Sequence, residues 1–516
     1  MSTGKRFLIL FSIGLILVGW GSAADAQSTH LTAKNLALGG GGTAYVDGYQ
    51  ANFINPANLM LGEGIEPRTT IGIIGGLSTG IGGPLANLNV YNQYFTSGLT
   101  IKGNIADEVL SKWFGNDPSK LKRVGMQTDF IPFGISYRTK NWAASLAVRS
   151  RFLMDAGVNR GVARLYLEGF TGDDFANGLP VNFSAEGLSF YEVSAGFSMK
   201  LLDIKSLGIA KNVKIYAGAA PKLLLGSNTT KLNFNSVLTI KGADQNSIDE
   251  IIHDFSYSFE TNGEVSDQLK QFYQDRQKQQ KTPDINNYVD PAGKDFYGLN
   301  ATGVGLDLGG TMEMDLEVPV IGAFFKGPEH LTVGLSLTDL GSLSFNQEVG
   351  RFKASDVFDW KGFKFDKQEI NQKYNGDTQE YVNHVLKDSI ANNIYGSFTP
   401  QGISSLKRNL PTMVNVGGRL QLNKLSVSLD LMRGFNYEGT NSQRAAMSAG
   451  LEYNLFGFLP LRAGLRTGGY SSTSYSAGFG LEFRNFEFSV AASTVANSAN
   501  NGSNVGAAWS GLVLKF

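Results

Sequence analysis

Residues 424–433 read KLSVSLDLMR, and apolar side chains occupy every second position of this stretch. Leu425, Val427, Leu429 and Leu431 alternate with Ser426, Ser428 and Asp430. Because successive side chains of a β-strand point to opposite faces, this pattern predicts a strand with one apolar and one polar face.

The same two-residue period recurs along most of the 516 residues. We assign fourteen segments, with boundaries uncertain by a few residues, at roughly 67–78, 125–139, 141–154, 187–202, 211–226, 298–317, 329–342, 409–422, 424–435, 443–455, 459–469, 473–484, 485–496 and 505–516. A soluble β-sandwich shows the same alternation, so the period alone does not separate a sandwich from a barrel.

The lengths of the connections distinguish these two folds. If the first strand runs outward, the long connections all fall at outward ends, at 79–124, 156–186, 227–297 and 343–408. The inward ends are joined by shorter links at 140, 203–210, 318–328, 423, 456–458 and 484–485. Outer-membrane barrels have an even strand number, short periplasmic turns and longer outer loops. The sequence therefore predicts an all-β fold, an antiparallel outer-membrane β-barrel of about fourteen strands.

The composition argues against several functions. The chain has 45 Lys and Arg against 45 Asp and Glu, so it lacks the positive charge of a nucleic-acid binder. It has no Cys and four separate His residues, which disfavours metal centres and cysteine catalysis. No nucleophile elbow is present either. We expect no enzymatic activity, no catalytic residue and no cofactor.

The N-terminus has the features of a cleaved export signal. Lys5 and Arg6 precede an apolar run at 7–18, and the Ala-Asp-Ala ending at Ala26 fits the small-x-small cleavage rule. We expect residues 1–26 to be removed, which leaves Gln27 as the mature N-terminus. An uncleaved membrane anchor is the alternative, although the apolar run is short of the roughly 20 residues that span a bilayer. The expected location is the outer membrane of a Gram-negative bacterium.

The last predicted strand ends at the terminal residue, Phe516. We expect one face to carry Gly506, Ala508, Ser510, Leu512, Leu514 and Phe516, and the other Trp509, Gly511 and Lys515. A terminal Phe after alternating apolar residues resembles the signal by which bacterial outer-membrane barrels are recognised. The resemblance implies that Phe516 is an assembly signal and that the barrel assembly machinery is a partner.

Residues 35–59 contain a glycine stretch, Gly39 to Gly42, and end close to Asn55-Pro56-Ala57, directly before the first strand. A phosphate-binding loop is not expected, because the Lys-Ser/Thr pair of such loops is missing. Pro56 fixes φ and has no amide proton, so it suits a turn. This arrangement resembles the FadL-type family, which are outer-membrane channels for long-chain fatty acids and hydrophobic compounds, and the related PorV-type barrels of Bacteroidota.

The resemblance implies that residues 27–66 fold as a plug inside a barrel formed by residues 67–516. It also implies that Asn55, Pro56 and Ala57 close this plug where the chain enters the first strand. It covers the N-terminal stretch, the strand count and the terminal Phe, but not the outer loops. A periplasmic lead-in without a gating role is the alternative.

The predicted inward-facing charges have mixed signs: Arg138, Arg149, Arg151, Glu192, Lys200, Lys214, Arg419, Asp430, Glu452, Arg462, Arg466, Glu482 and Glu487. Buried charges need partners, so this mixture favours a paired interior over an ion-selective ring. A salt-bridge lattice that fills the barrel is the favoured interpretation. In the alternative, Arg149 and Arg151, with Arg462 and Arg466, line the lumen and meet a carboxylate headgroup.

The outer loops carry further patterns. Ile105, Val109, Leu110, Trp113 and Phe114 have helical spacing. The helix that they predict is either an ordinary packed element or, by the FadL resemblance, part of a groove that captures hydrophobic molecules. The polar runs 268–281 and 366–377 predict solvated helices or mobile caps, and 228–241 and 252–260 predict strands that extend beyond the membrane.

Together these observations predict a passive channel, surrounded by outer-membrane lipid, that admits small hydrophobic molecules past an N-terminal plug. Two alternatives stay open. One is a PorV-like barrel that anchors or shuttles secreted or surface proteins through its long loops, and the other is a purely structural surface barrel.

Overall fold

A computed structural model of the chain describes residues 32–62, 68–171, 173–242, 247–278, 287–288, 298–316, 329–364, 366–376, 381, 399–436, 441–469, 473–495 and 503–516. The predicted signal peptide, residues 1–26, lies outside the described residues, as do the cleavage site and the link 318–328.

Fourteen antiparallel strands form a closed barrel, which confirms the predicted fold class. The barrel closes because the first strand pairs with both the second and the last strand, and Thr69 and Phe516 exchange backbone hydrogen bonds of 3.0 and 2.9 Å at this seam. The strands are β1 Arg68–Gly83, β2 Lys122–Arg138, β3 Trp142–Val158, β5 Phe183–Leu207, β6 Ala210–Lys241, β8 Ala301–Leu316, β9 Glu329–Phe345, β13 Met413–Leu422, β14 Leu425–Gly434, β15 Ala446–Leu455, β16 Leu459–Gly468, β17 Ser474–Glu482, β18 Phe486–Val495 and the last strand, β19 Ser503–Trp509 with β20 Leu512–Lys515.

Apolar side chains cover the outer surface of the barrel. Leu335, Leu429 and Leu451 are more than half exposed in the middle of their strands, whereas Ser428 and Asp430 are buried on the inward face. Such an apolar exterior is stable in lipid and unfavourable in water. The alternation predicted from 424–433 therefore separates lipid-facing from inward-facing residues.

Aromatic rings gather at the end of the barrel that carries the short links. Tyr137 and Trp142 have ring centroids 5.7 Å apart, and the ring of Phe458 stacks on those of Phe456 and Phe483. Amphipathic aromatic side chains are enriched where a membrane meets water. This end is the periplasmic one by the rule that outer-membrane barrels keep their short turns there.

The described periplasmic links are 139–141, 208–209, 423–424, 456–458 and 483–485. The predicted link 203–210 was wrong in length, because β5 and β6 continue until only Gly208 and Ile209 join them. The pairing register shifts between Lys200 and Leu202. This bulge interrupts the two-residue period, so the sequence pattern stops before the strand does.

The last strand also departs from its prediction. It breaks at Ser510–Gly511, where Gly511 has a φ of +70°. Ala508 and Ser510 are buried, but Leu512 is 45% exposed and Val513 is buried. The extra residues exchange the two faces, as a slip of one residue must in a strand. The predicted single face from Gly506 to Phe516 was therefore wrong beyond Ser510.

Five further strands lie at the outer rim or beyond it: β4 Leu179–Pro180, β7 Ser247–Thr261, β10 Gly350–Lys364, β11 Thr399–Gln401 and β12 Leu406–Asn409. The outer half of β6 pairs with β7 from Thr230 to Lys241, and β7 pairs with β10. The predicted extension of strands over 228–241 and 252–260 is confirmed. We call β7, β10 and the outer half of β6 the outer sheet.

Among the described residues, the α-helices are Ala33–Ala37, Leu88–Val90 with the π-helical turn Tyr91–Phe95, Asn104–Phe114, Arg160–Glu168, Glu264–Lys278 and Lys367–Lys373. The 3-10 helices are Gly48–Phe53, Pro56–Met60, Gly169–Thr171 and Asp173–Asn177. Asn104–Phe114 confirms the predicted loop helix, and its Val109 and Leu110 are fully buried. In the described part of the chain, no helix has the length and apolar character needed to cross a bilayer.

Candidate functional site

Residues 32–62, hereafter the N-terminal segment, pack against the inward faces of the strands. The helix Ala33–Ala37 contacts β16 to β19, and the two 3-10 helices contact β1 to β3, β5, β6 and β8. Between them, Gly42 and Thr43 meet β14 through Asp430, whose Oδ1 accepts from both backbone amides at 3.2 and 3.0 Å. One segment thus contacts strands around the whole barrel.

Glycines of the wall make room for the N-terminal segment. A Cβ added to Gly464 would lie 2.3 Å from the backbone nitrogen of Gly39, and one added to Gly134 would lie 2.2 Å from the ring of Tyr49. Such distances are too short for real Cβ contacts, so a larger residue would displace the segment. Ten strands contribute at least one such position each, and we take one from each strand: Gly72, Gly134, Gly196, Gly218, Gly309, Gly334, Gly417, Gly450, Gly464 and Gly478. We call these positions the glycine lining.

The predicted Asn55-Pro56-Ala57 lies inside this contact zone. Asn55 is fully buried; its Oδ1 accepts from the amide of Ala57 at 3.2 Å and its Nδ2 donates to Thr311 Oγ1 at 2.9 Å. Pro56 occupies the first turn of the 3-10 helix, where its missing amide proton costs no hydrogen bond. The tripeptide therefore caps a helix and ties the N-terminal segment to β8.

A second tie lies at an irregular part of the wall. The register of β1 against β2 shifts between Ile73 and Gly76, opposite Pro132, which has no amide proton for the ladder. Tyr49 Oη donates to the carbonyl oxygen of Gly75 at 2.8 Å, and Gln50 Nε2 donates to the same oxygen at 3.1 Å. The N-terminal segment thus supplies hydrogen bonds where the barrel wall bulges.

A group of seven buried charged side chains lies on the inward faces of six consecutive strands. Its members, hereafter the charge cluster, are Asp129, Arg149, Arg151, Glu192, Lys222, Asp307 and Asp339. Arg149 Nη2 is 2.6 Å from Glu192 Oε2, and Arg151 Nη1 is 2.8 Å from Asp339 Oδ2. Lys222 Nζ lies 2.7 Å from Asp339 Oδ1 and 2.8 Å from Asp307 Oδ2. Ion pairs of this kind are required because an unpaired charge is costly away from water.

The charge cluster also contacts the N-terminal segment. The guanidinium carbon of Arg149 lies 4.2 Å from the centroid of the Phe53 ring, and Lys222 Nζ lies 5.7 Å from it. A cation over an aromatic face is attracted to the ring, by up to about 2 kcal/mol where both are desolvated. Phe53 therefore covers the cations of the cluster on the side of the N-terminal segment.

On the outward side of the charge cluster the lumen is apolar. Inward-facing side chains of β3, β5, β6, β8 and β9 meet residues of the outer rim in one buried group, hereafter the apolar lumen cluster: Leu153, Leu188, Phe190, Leu224, Ala301, Leu343, Phe345, Val349, Leu406 and Leu410. On the outside of the same strands, Met154 and Leu223 are 43 and 51% exposed. The cluster therefore lies at a level where the barrel exterior is lipid-facing.

A polar cavity of about 930 Å³ opens at the periplasmic end. Its roof is formed by residues of the N-terminal segment, among them Tyr45, Asp47 and Leu59, and its walls include Arg138 and Glu452. We call it the vestibule. The interior of the barrel is thus layered, with the vestibule at the periplasmic end, the N-terminal segment and the charge cluster in the middle, and the apolar lumen cluster towards the outer end.

The four arginines predicted to line the lumen do not form one site. Arg149 and Arg151 belong to the charge cluster, whereas Arg462 pairs with Glu452 at 2.6 Å and with Glu482 near the vestibule. Arg466 lies between Ser448 and Ser474 in the strand register. Arg149, Arg151 and Arg462 already have carboxylate partners from the chain itself, which is the arrangement of the paired interior. The side chain of Phe516 is 68% exposed on the outer surface.

Sequence reasoning missed four members of the charge cluster, namely Asp129, Lys222, Asp307 and Asp339. Bulges between Leu306 and Leu308 and at Asp339, where φ is +57°, change which residues face inward. A usable signal was present, since each of these residues is a charge with at least five uncharged residues on either side of it in the sequence. The role of the glycine lining was missed as well, because glycine was counted only as part of a polar face.

Comparisons with known proteins give one family and several similar folds. The sequence profile of a family described as a family of unknown function (DUF5723) matches residues 64–493. No curated protein matches the sequence. The toluene transporter TodX of Pseudomonas putida is similar at 11% identity with a TM-score of 0.36, over 96% of this chain and 99% of that one.

Two further solved structures are similar to the same degree. A FadL homologue of Pseudomonas aeruginosa has 10% identity and a TM-score of 0.39, over 96% of this chain and 99% of that one. The translocator domain of the autotransporter NalP from Neisseria meningitidis has 10% identity and a TM-score of 0.31, over 91 and 92%. All three similarities are at low identity, so function has to be argued from this chain's own residues. The PorV-type resemblance and a Bacteroidota origin stay predictions.

Proposed function

Because the chain belongs to the DUF5723 family, whose function is unknown, we propose from its own residues that it is an outer-membrane channel for the passive uptake of small hydrophobic molecules. The observation that carries the proposal is the apolar lumen cluster. Barrel interiors are usually polar and wet, whereas this one is lined by buried Leu and Phe side chains. Such a lining favours apolar molecules over hydrated solutes by roughly 25 cal/mol per Å² of apolar surface.

The layered interior also argues for an obstructed path rather than an open pore. Molecules captured at the outer loops enter the apolar lumen cluster and reach Phe53 of the N-terminal segment, which in this proposal is a plug within residues 27–66. Movement of part of this plug then releases them into the vestibule. Asn55, Pro56 and Ala57 anchor the end of the plug that enters β1.

A polar substitution in the apolar lumen cluster tests the carrying observation. Gram-negative cells that express the protein should take up N-phenyl-1-naphthylamine faster than cells without it. Leu224→Asn should abolish this gain, because a polar amide replaces a fully buried leucine, whereas the matched Leu224→Met should retain it. Heat-modifiable migration on gels verifies that both variants fold. Equal uptake by cells with and without the wild-type protein would remove the transport proposal.

A reversible cross-link tests the movement of the plug. The chain has no Cys, and Asn52 of the plug hydrogen-bonds to Ser145 of β3. In the double variant Asn52→Cys/Ser145→Cys, a short bis-methanethiosulfonate should block uptake and dithiothreitol should restore it. The single variant Asn52→Cys, treated alike, should be unaffected. Full uptake by the cross-linked barrel would place the path elsewhere.

The same experiments separate the alternatives. A barrel that anchors or shuttles secreted or surface proteins, or one with a purely structural role, would show no uptake in any variant. Among the described residues we find no specific observation that favours a protein partner over the hydrophobic ligand, and outer-membrane lipid is the partner required by the apolar exterior.

A further inference from the structure

The first outer loop carries a short helix with an exposed apolar flank. Leu88, Tyr91 and Phe95 follow one another at spacings of three and four residues and are 43, 52 and 36% exposed. The rings of Tyr91 and Phe95 stack with centroids 6.0 Å apart. Val90 and Tyr94, in contrast, are buried against the helix Asn104–Phe114.

The remaining exposed positions of this helix are polar. Asn92 and Gln93 are both exposed, and they follow the apolar flank around the helix axis. The helix therefore has three sides: one packed on the protein, one apolar and exposed, and one polar and exposed. A helix surrounded only by water would gain nothing from dividing its exposed surface in this way.

The position of the helix relates the apolar flank to the barrel wall. The backbone amide of Leu88 donates to Ser503 Oγ at 3.3 Å, which holds the start of the helix at the outer end of β19. The lipid-facing residues nearest this rim, Ile81 of β1 and Val505 of β19, are 47 and 50% exposed. The apolar flank thus begins where the lipid-facing surface of the barrel ends.

We propose that the helix 88–95 lies in the interface of the outer leaflet, with Leu88, Tyr91 and Phe95 in contact with lipid and Asn92 and Gln93 in water. Interfacial helices bury an apolar side at the boundary between headgroups and acyl chains, and aromatic side chains are favoured at that depth. The occupant is a lipid surface rather than a captured molecule, because the flank is the outside of a helix and not a groove. The proposal does not depend on transport.

The absence of Cys from the chain makes a direct test possible. Nitroxide labels at Tyr91→Cys and Phe95→Cys report the apolar flank, and labels at Asn92→Cys and Gln93→Cys report the polar one. Leu429→Cys serves as the lipid-facing reference. In proteoliposomes, the ratio of oxygen to nickel-chelate accessibility should be several-fold higher on the apolar flank than on the polar flank, and lower than at Leu429.

Two outcomes would overturn the proposal. One is an equal ratio on both flanks, which would place the whole helix in water. The other is a high ratio at Tyr91 and Phe95 that appears only after N-phenyl-1-naphthylamine is added, which would assign the flank to ligand capture. The labelled residues are exposed, so loss of folding is not expected, and heat-modifiable migration verifies it.

Discussion

Lys222 is the one ammonium group of the charge cluster, and its replacement by Met should destabilise the barrel strongly. The cluster has four carboxylates and three cations, which is a formal charge of −1. Lys222 Nζ is fully buried and contacts Asp339 and Asp307 at 2.7 and 2.8 Å. Lys222→Met leaves four carboxylates with two guanidinium groups, and breaking a buried pair of this kind costs about 3–5 kcal/mol.

Asp307→Asn, in contrast, should change the free energy of unfolding only slightly. It removes one negative charge, so that three carboxylates face three cations. In the wild type the backbone N–H of Asp339 donates to Asp307 Oδ1 at 2.6 Å, and it can still donate to the side-chain oxygen of the substituted residue. We expect a change within about 1 kcal/mol, since the hydrogen bond is kept and the excess negative charge of the cluster is removed, which offsets the loss of the ion pair with Lys222. The double variant Lys222→Met/Asp307→Asn returns to the wild-type charge and should regain about half of the lost stability.

Denaturant unfolding in lipid vesicles, followed by the fluorescence of the four Trp residues that lie after residue 26, measures these free energies of unfolding as a double-mutant cycle. The temperature at which heat-resistant migration is lost gives an independent order of stability for any variant that refolds poorly. Strict additivity of the two substitutions, or an Asp307→Asn that is as damaging as Lys222→Met, would show that charge balance does not govern the cluster.

Three further predictions concern the glycine lining, the outer sheet and export. Gly309→Ala should reduce the yield of folded barrel, because the new Cβ would lie 1.9 Å from Asn55 Oδ1, whereas Gly310→Ala, whose Cβ would meet nothing nearer than 3.9 Å, should match the wild type on the same gel. Burial lowers the pKa of His253 in the outer sheet. The outer sheet is therefore most stable above the ordinary His pKa of about 6.5 and loses stability as the pH falls below it, because the unfolded chain binds a proton that the folded one resists. Protease cleavage of the outer sheet on intact cells should therefore be faster at pH 5 than at pH 7.5, and His253→Phe should remove that difference. If the variant keeps the difference, His253 is not its cause. Mass spectrometry of the mature protein should find Gln27 at the N-terminus, and a retained residue 1–26 peptide would indicate an anchor instead.

Much of the barrel could be predicted because alternation is a local property. A residue such as Leu429 faces lipid whatever the rest of the chain does, so the period reports its face directly. The prediction failed where a bulge intervened, as at Gly511 and between Lys200 and Leu202. One extra residue exchanges the lipid-facing and inward-facing sides of the strand, and no local sequence pattern predicts where this happens.

The candidate site was less accessible from the sequence because it is assembled from distant residues. Asn55 and Pro56 were predicted from their position before β1, but the contact of Asn55 with Thr311 depends on the barrel register. The partners of Arg149 and Arg151 depend on which charges of three other strands, β2, β5 and β9, reach the same level of the barrel. That information is held in the three-dimensional register and not in the spacing along the chain.

The contacts of the N-terminal segment constrain how the proposed channel could open. At least eight hydrogen bonds join the segment to the wall: Ala37 O with Ser476, Gly42 N and Thr43 N with Asp430, Tyr49 and Gln50 with Gly75 O, Asn52 with Ser194 O, Asn55 with Thr311 and Ala57 O with Ser198. At about 1 kcal/mol each, complete withdrawal would be found in roughly one molecule in a million at equilibrium.

Withdrawal would also empty the space that the glycine lining reserves, and voids of that size are costly. Movement of a part of the segment is the smaller change. The stretch that contains Phe53 borders the charge cluster, and through it the apolar lumen cluster, and Phe53 is held there by ring contacts with Arg149 and Lys222 rather than by a glycine position. The path that costs least therefore runs past Phe53, with Asn55 and the helix Ala33–Ala37 still bound to the wall.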